Sequence, residues 1–356
     1  MAQVPTLEGI RQTLANAHVI VSTISSLAAR SGIFNVKHFD LAIIDEAGQV
    51  LEPNLMGILS AKNPSSLDKI DGEAITKFIL IGDYKQLPAV VQQDAEESAV
   101  ADPLLKAIDL DDCAHSLFER LIRMERSAGR SDFVGTLRKQ GRMHPDIAEF
   151  PNRYFYMREQ LECVPLAHQR ELRLPYDVES EDAADDFLKA HRVIFIPSDS
   201  CRQPNLSEKA NTEEARIVAD TIRRLYRQMG QAFNPRKSIG VIVPDRNQIA
   251  LIRKELEKLN LPALADISID TVERYQGSQR DVIIYSFTIQ NRYQLEFLTA
   301  GTFEEDGQII DRKLNVVITR ARKQLILTGN EVTLRQNATF SKLLDYIKTK
   351  GGYKTK

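Results

Sequence analysis

The chain has 356 residues, enough for about two domains, and its 43% hydrophobic and 27% charged content excludes disordered, collagen-like and coiled-coil classes. Lys plus Arg number 47 against 49 Asp plus Glu, a formal net charge of −2. That excludes a protein that holds nucleic acid by bulk positive charge, so any such contact must be local, made by a groove.

No apolar run approaches the roughly 20 residues that span a bilayer, and the start MAQVPTLEG has no signal-peptide pattern. Cys113, Cys163 and Cys201 are far apart, which argues against a disulfide framework and against a CxxC metal site. A cytoplasmic, reducing environment without a membrane partner is the expectation.

In chain order, the short apolar runs are AHVIVST (17–23), FDLAIIDEAG (39–48), KFILIGD (77–83), RVIFIPS (192–198), SIGVIVP (238–244), DVIIYSF (281–287) and QLILTG (324–329). They are continuous and β-branched rather than alternating, which predicts parallel strands buried on both faces. Helix-period stretches lie between them: HSLFERLIRMER (115–126), EEARIVADTIRRLYRQM (213–229) and RNQIALIRKELEKL (246–259). The alternation predicts α/β architecture with doubly wound parallel sheets. Three strand runs precede about residue 130 and four follow, with the polar RSAGRSDFVG (126–135) as a hinge. The expected domains are 1–130 and 131–356. The acidic stretches 92–102 and 177–187 are expected to be solvated insertions, and the closing KTKGGYKTK a frayed end.

In open parallel sheets, ligands bind beyond the carboxyl ends of the strands. LAII runs directly into Asp45-Glu46-Ala47-Gly48-Gln49. Two adjacent acids there can divide labour, one holding Mg²⁺ and the other accepting a proton from water. A surface turn or a helix cap is the other reading of the same residues. FILI ends in Gly82-Asp83-Tyr84-Lys85-Gln86-Leu87-Pro88, where Gln86 can orient a water or touch a terminal phosphate, or belong to a plain polar loop.

These blocks occur in a fixed order with KQGRMHPDIAEFPNRYFY (139–156), IGVIVPDRNQ (239–248), IDTVERYQGSQRDVII (269–284) and KLNVVITRAR (313–322). In that order they resemble superfamily 1 helicases, in the branch of the nonsense-mediated-decay helicase and its DNA-replication relatives. The resemblance covers nearly the whole chain. It implies two RecA-like domains, the first one incomplete, that hydrolyse ATP at the cleft between them and move along single-stranded nucleic acid, DNA or RNA, in the 5′ to 3′ direction.

Carried over residue by residue, the resemblance makes Asp45 the Mg²⁺ ligand, Glu46 the catalytic base, Gln86 the sensor of the terminal phosphate, and Arg142 and Arg320 the arginine fingers. Gln140, Gly277 and Gln279 are assigned to the nucleotide. Ser22, Thr23, Pro244, Arg246 and Thr271 are assigned to the nucleic-acid strand, although each could equally be a turn or cap residue. Arg322 is left undecided, and His144 is read as a structural residue of the RMHP turn.

The chain departs from the pattern in four places. No GxxxxGK[ST] phosphate loop occurs: Lys237-Ser238 follows QAFNPR and lacks the glycines. Gly141 stands where the family has an aromatic, Gln279 where it has an acid, and Glu273 where it has Asp. The expectation is therefore the C-terminal part of a motor whose phosphate loop comes from a missing N-terminal segment or another polypeptide. The alternative is a non-hydrolysing nucleic-acid- or protein-binding module. A base and two fingers have no use in such a module, which favours the motor.

Overall fold

The computed structural model describes residues 6–63, 72–198 and 209–355. Cys201 lies outside them. The chain divides into two compact units, Met1–Gly135 and Thr136–Lys356.

In the first unit, β1 (Phe39–Ile44) and β2 (Ile75–Leu80) pair in parallel, with Ile43 opposite Ile79. Alternation along a strand sends Ala42 and Ile44 to one face. There they meet Ala47, Leu55 and Leu117, the last from the helix Leu117–Ser127. The expectation of two buried faces fails here: Leu41, Ile43, Ile79 and Ile81 are exposed. The run 17–23 is a second correction, since it forms no strand and leaves Val19 80% and Val21 91% exposed. A strand needs a neighbour to take its backbone N–H and C=O groups, and the described part of this unit pairs only β1 with β2. The run ends instead at Thr23, which caps the helix Ile24–Ala29.

The second unit carries β5 (Val193–Pro197), β6 (Ile239–Val243), β7 (Ser268–Thr271), β8 (Arg280–Ser286) and β11 (Ala321–Gly329). They form one all-parallel sheet in the order β5-β11-β8-β6-β7. Here the two-faced burial holds, and every residue of β6 is buried. The helices Thr212–Met229 and Arg246–Glu257 cover one face with Val218, Ile222, Leu225, Ile252 and Leu256.

Smaller elements are the parallel pair β3 (Lys139–Gln140) and β4 (Glu162–Cys163), and the hairpin β9 (Thr302–Glu305) and β10 (Gln308–Asp311). The hairpin turns on Asp306 (φ 53°) and Gly307 (φ 71°), the Asp-Gly pair that a two-residue turn with two positive φ angles prefers. No described helix is long and apolar enough to cross a membrane.

Two further expectations are corrected. In the acidic stretch 177–187, Asp185 is completely buried. It bonds Arg224 at 2.9 Å and also Arg227, so it fastens the helix Ala183–Ala190 to Thr212–Met229. A carboxylate without its cations would cost several kcal/mol there, and the two arginines on the neighbouring helix make its burial tolerable. The closing segment is docked rather than frayed. Phe195 donates its N–H to Gly352 O (2.9 Å), Lys354 returns an N–H to Phe195 O (2.9 Å), and the Tyr353 ring stacks on Phe195. Gly352 permits this approach, since a Cβ would fall 1.9 Å from Val193 O.

Glu214, on the helix Thr212–Met229, is fully buried yet satisfied by Ser198 and Asn211 on one oxygen and Ser286 and Thr288 on the other. Burial pushes its pKa up to about 7, from an ordinary 4.5. A carboxyl raised on folding binds its proton more tightly in the folded state. Its stabilisation is therefore complete below about pH 4.5 and is lost as pH rises through about 7. The midpoint of thermal unfolding of the second unit is expected to fall between pH 5 and pH 8, and Glu214→Gln to flatten that dependence. An equal slope in the variant would assign the effect to other groups.

Candidate nucleotide and nucleic-acid sites

In the first unit, the end of β1 delivers Asp45 and Glu46 to an exposed turn. Asp45 Oδ1 accepts the Glu46 N–H (2.9 Å), and Gln49 Nε2 donates to Glu46 Oε2 (2.7 Å). Glu46 has φ 53°, a left-handed conformation that costs about 1 kcal/mol or more for a non-glycine residue and concentrates at functional positions. The loop after β2 packs beside this turn. Ala47 donates its N–H to Ile81 O (2.8 Å), and a Cβ on Gly82 would sit 3.0 Å from Gly48 N. In that second loop Asp83 accepts Lys85 N–H (3.0 Å) and Gln86 Nε2 (2.8 Å), which fixes the amide of Gln86. Asp45, Glu46 and Gln86 thus lie on two touching loops.

Ser22 and Thr23 are elsewhere in this unit and serve the backbone. Thr23 Oγ1 accepts Ser26 N–H (3.2 Å), and Ser22 Oγ donates to Thr23 O (3.1 Å).

In the second unit, Arg142 donates Nε to Gln279 Oε1 (3.0 Å) and Nη1 to Thr319 O (3.2 Å). Gln279 belongs to the turn after Gly277, whose φ of 77° is open to glycine at little cost. Arg320 caps the helix Arg312–Thr319. It is 2% exposed, with Nε on Val316 O and Nη2 on Thr319 Oγ1, both at 3.1 Å. A cation at a helix C-terminus is favoured by the carbonyls left there. Three sequence-assigned residues, Arg142, Gln279 and Arg320, are therefore gathered around the end of one helix, and Gly277 lies two residues before Gln279. Gln140 joins them as a brace: Oε1 accepts the N–H groups of Arg142 (2.9 Å) and Met143 (2.8 Å), and Nε2 donates to Met143 O and Cys163 Sγ (both 2.9 Å).

Arg322 pairs with Asp281 at 2.8 Å. His144 caps the helix Pro145–Tyr154 by accepting Asp146 N–H (3.2 Å) and meets Glu171 O at 3.1 Å. Burial and then Arg192 hold its pKa below the usual value.

The remaining nucleic-acid candidates share one place. Thr271, the last residue of β7, is opposite Val243, the last of β6; Pro244 follows directly, and Arg246 opens the next helix. Arg246 lines an open groove with Ile249, Ala250, Ile269, Asp270 and Arg274. The sequence reading missed Arg274. It lies 3.8 Å from Asp270 across the end of β7, a proximity that no sequence spacing announces.

Among the described residues, no cluster of three or more His, Cys, Asp or Glu could cage a metal. Mg²⁺ fits all the same, because it usually takes one or two carboxylates and completes its shell with water and phosphate oxygens. The exposed Asp45 is a donor of that kind.

A family model described as an AAA domain matches residues 113–332, and a second of the same description matches residues 5–94. An uncharacterized ATP-dependent helicase of Methanocaldococcus jannaschii is 29% identical over 96% of this chain and 43% of its own length. A DNA polymerase alpha-associated DNA helicase A of Saccharomyces cerevisiae is 28% identical over 92% of this chain and 44% of its own. A DNA replication ATP-dependent helicase/nuclease of Mus musculus is 28% identical over 94% of this chain and 29% of its own. The chain thus spans less than half the length of these curated relatives. With the family models covering most of its residues, the chain belongs to the AAA-domain family, as a helicase-type protein of superfamily 1, branch 1B.

Proposed function

We propose that this chain is part of an ATP-driven helicase or translocase acting on single-stranded nucleic acid, with the phosphate loop supplied from outside these 356 residues. The gathering of Arg142, Gln279 and Arg320 at the end of one helix carries the reading. Two guanidiniums there suit the charge that spreads over the oxygens of a phosphoryl group in transfer. In the first unit Glu46 would take the proton of the attacking water, and Gln86 would sense the terminal phosphate. Asp45 would hold Mg²⁺, which would supply charge neutralisation on the phosphates. Gln140 serves by shaping the loop of Arg142, while Gly277 and Gln279 border the nucleotide. Pro244, Arg246 and Thr271 would contact the strand's sugar-phosphate backbone, with Ser22 and Thr23 as contacts from the first unit.

Two measurements test this reading. The purified 356-residue chain is expected to turn over little ATP alone; robust Mg²⁺-dependent hydrolysis, abolished by Glu46→Gln, would refute the need for an outside phosphate loop. Fluorescence anisotropy with a labelled single-stranded oligonucleotide is expected to show binding that Arg246→Glu weakens about tenfold or more, the outcome for a reversed charge at a phosphate contact. Binding unaffected by that change would remove the groove from the strand's path. Strand binding without ATPase, even when a phosphate loop is supplied, would favour the non-hydrolysing module.

A further inference from the structure

The loop bearing Arg142 is gripped by one short segment, residues 162–171. β4 pairs with β3 along Gln140, and Gln169 Nε2 reaches Gln140 O (3.1 Å) and Met143 O (2.9 Å). His168 is the notable member of this grip. It is buried, with Nε2 2.9 Å from Arg142 O and Nδ1 3.5 Å from Arg322 Nη2. A carbonyl only accepts and a guanidinium only donates, so the ring must carry its proton on Nε2 and leave Nδ1 bare. Arg322 is in turn held by Asp281 of β8 (2.8 Å). A continuous relay therefore runs from the sheet through Arg322 and His168 to the carbonyl of Arg142, while Gln140 takes that residue's N–H. The backbone of Arg142 is fixed on both sides, and its guanidinium is left to reach Gln279 and Thr319 O.

We propose that His168 is a positioning residue for Arg142, setting the peptide from which that guanidinium is aimed. The functional weight of this rests on Arg142 serving the nucleotide; the geometric claim stands by itself. Hydrogen exchange on the full chain, without nucleotide, separates the two. His168→Asn, whose amide falls short of the Nε2 position, is expected to speed exchange of the Arg142 and Met143 amides about tenfold, the loss of one hydrogen bond. The amides of β8 and β11 are expected to keep their protection. His168→Gln, whose Nε2 can occupy the imidazole Nε2 position, is expected to stay within about twofold of the wild type. Equal acceleration in both variants would overturn the proposal.

If the Asn variant loosens the whole unit, the wild-type ring decides: long-range ¹⁵N correlation must show the Nε2–H form, and an Nδ1–H ring overturns the relay. Should Arg142→Ala leave ATP turnover of a completed motor unchanged, the nucleotide reading fails while the exchange result still stands.

Discussion

Arg142→Ala is expected to slow ATP turnover by a motor completed with its phosphate loop on the order of 10³-fold, by analogy with finger removal in other NTPases. The loss should fall on kcat, because a guanidinium that answers developing charge binds the transition state more strongly than the ground state. The fold should lose about 2 kcal/mol, roughly half of what a 10³-fold slowing represents. The side chain is only partly buried and its two mapped bonds, to Gln279 and to Thr319 O, contribute about 1 kcal/mol each. Arg142→Lys is expected to recover little, since an ammonium cannot copy a planar fork that holds a glutamine and a carbonyl and still meets phosphate oxygens. Single-turnover hydrolysis at saturating oligonucleotide, alongside a thermal melt of each variant, measures both effects. A change under about tenfold with an intact melt would show that the guanidinium takes no part in phosphoryl transfer.

Gly240→Ala is expected to be among the most damaging single-methyl changes in the second unit. Gly240 is in β6, where a Cβ would fall 1.9 Å from Tyr275 Oη, 2.8 Å from Tyr275 Cζ and 2.7 Å from Arg280 Cγ. Tyr275 is 1% exposed and cannot swing away without opening the core. Overpacking of this kind costs about 1–3 kcal/mol, and a rigid ring against a sheet interior belongs at the upper end. That would lower the unfolding midpoint by about 6–12 °C for a domain of this size. Gly57→Ala, within the helix Glu52–Leu59 where a Cβ meets nothing within 4 Å, is the control. It should stabilise by about 0.5–1 kcal/mol, as the exchange of glycine for alanine does in helices. Equal melts for both alanine variants would mean that Tyr275 yields readily and that β6 is not closely packed.

The α/β class and the parallel sheet were legible because strands buried on both faces leave continuous β-branched runs, as in β5, β6, β8 and β11. The same rule misread residues 17–23. Composition reports that a segment can be a strand, whereas pairing decides whether it becomes one. β7 escaped because SIDT is half polar and works at a sheet edge, where one neighbour is enough. The β9–β10 hairpin escaped although its Asp306-Gly307 turn was in plain view.

At the site, the order of blocks singled out Arg142 and Gln279. Their hydrogen bond closes a sequence gap of 137 residues that no spacing rule could bridge. His168 gave no signal at all, since its role depends on which carbonyl lies opposite its ring. Asp185 was misjudged for a related reason. The acid was legible, but the arginines that make it a core residue lie on another helix.

The docked end of the chain has a consequence of its own. β5 is the outermost strand on its side of the sheet, and the backbone exchanges between Phe195, Gly352 and Lys354 shield that rim. Trimming the last six residues would strip the shield and leave the N–H and C=O of Phe195 unsatisfied on an open strand edge, a template onto which another molecule's strand can add. Self-association, seen as rising light scattering at unchanged secondary structure, is then the foreseeable behaviour of a clipped preparation.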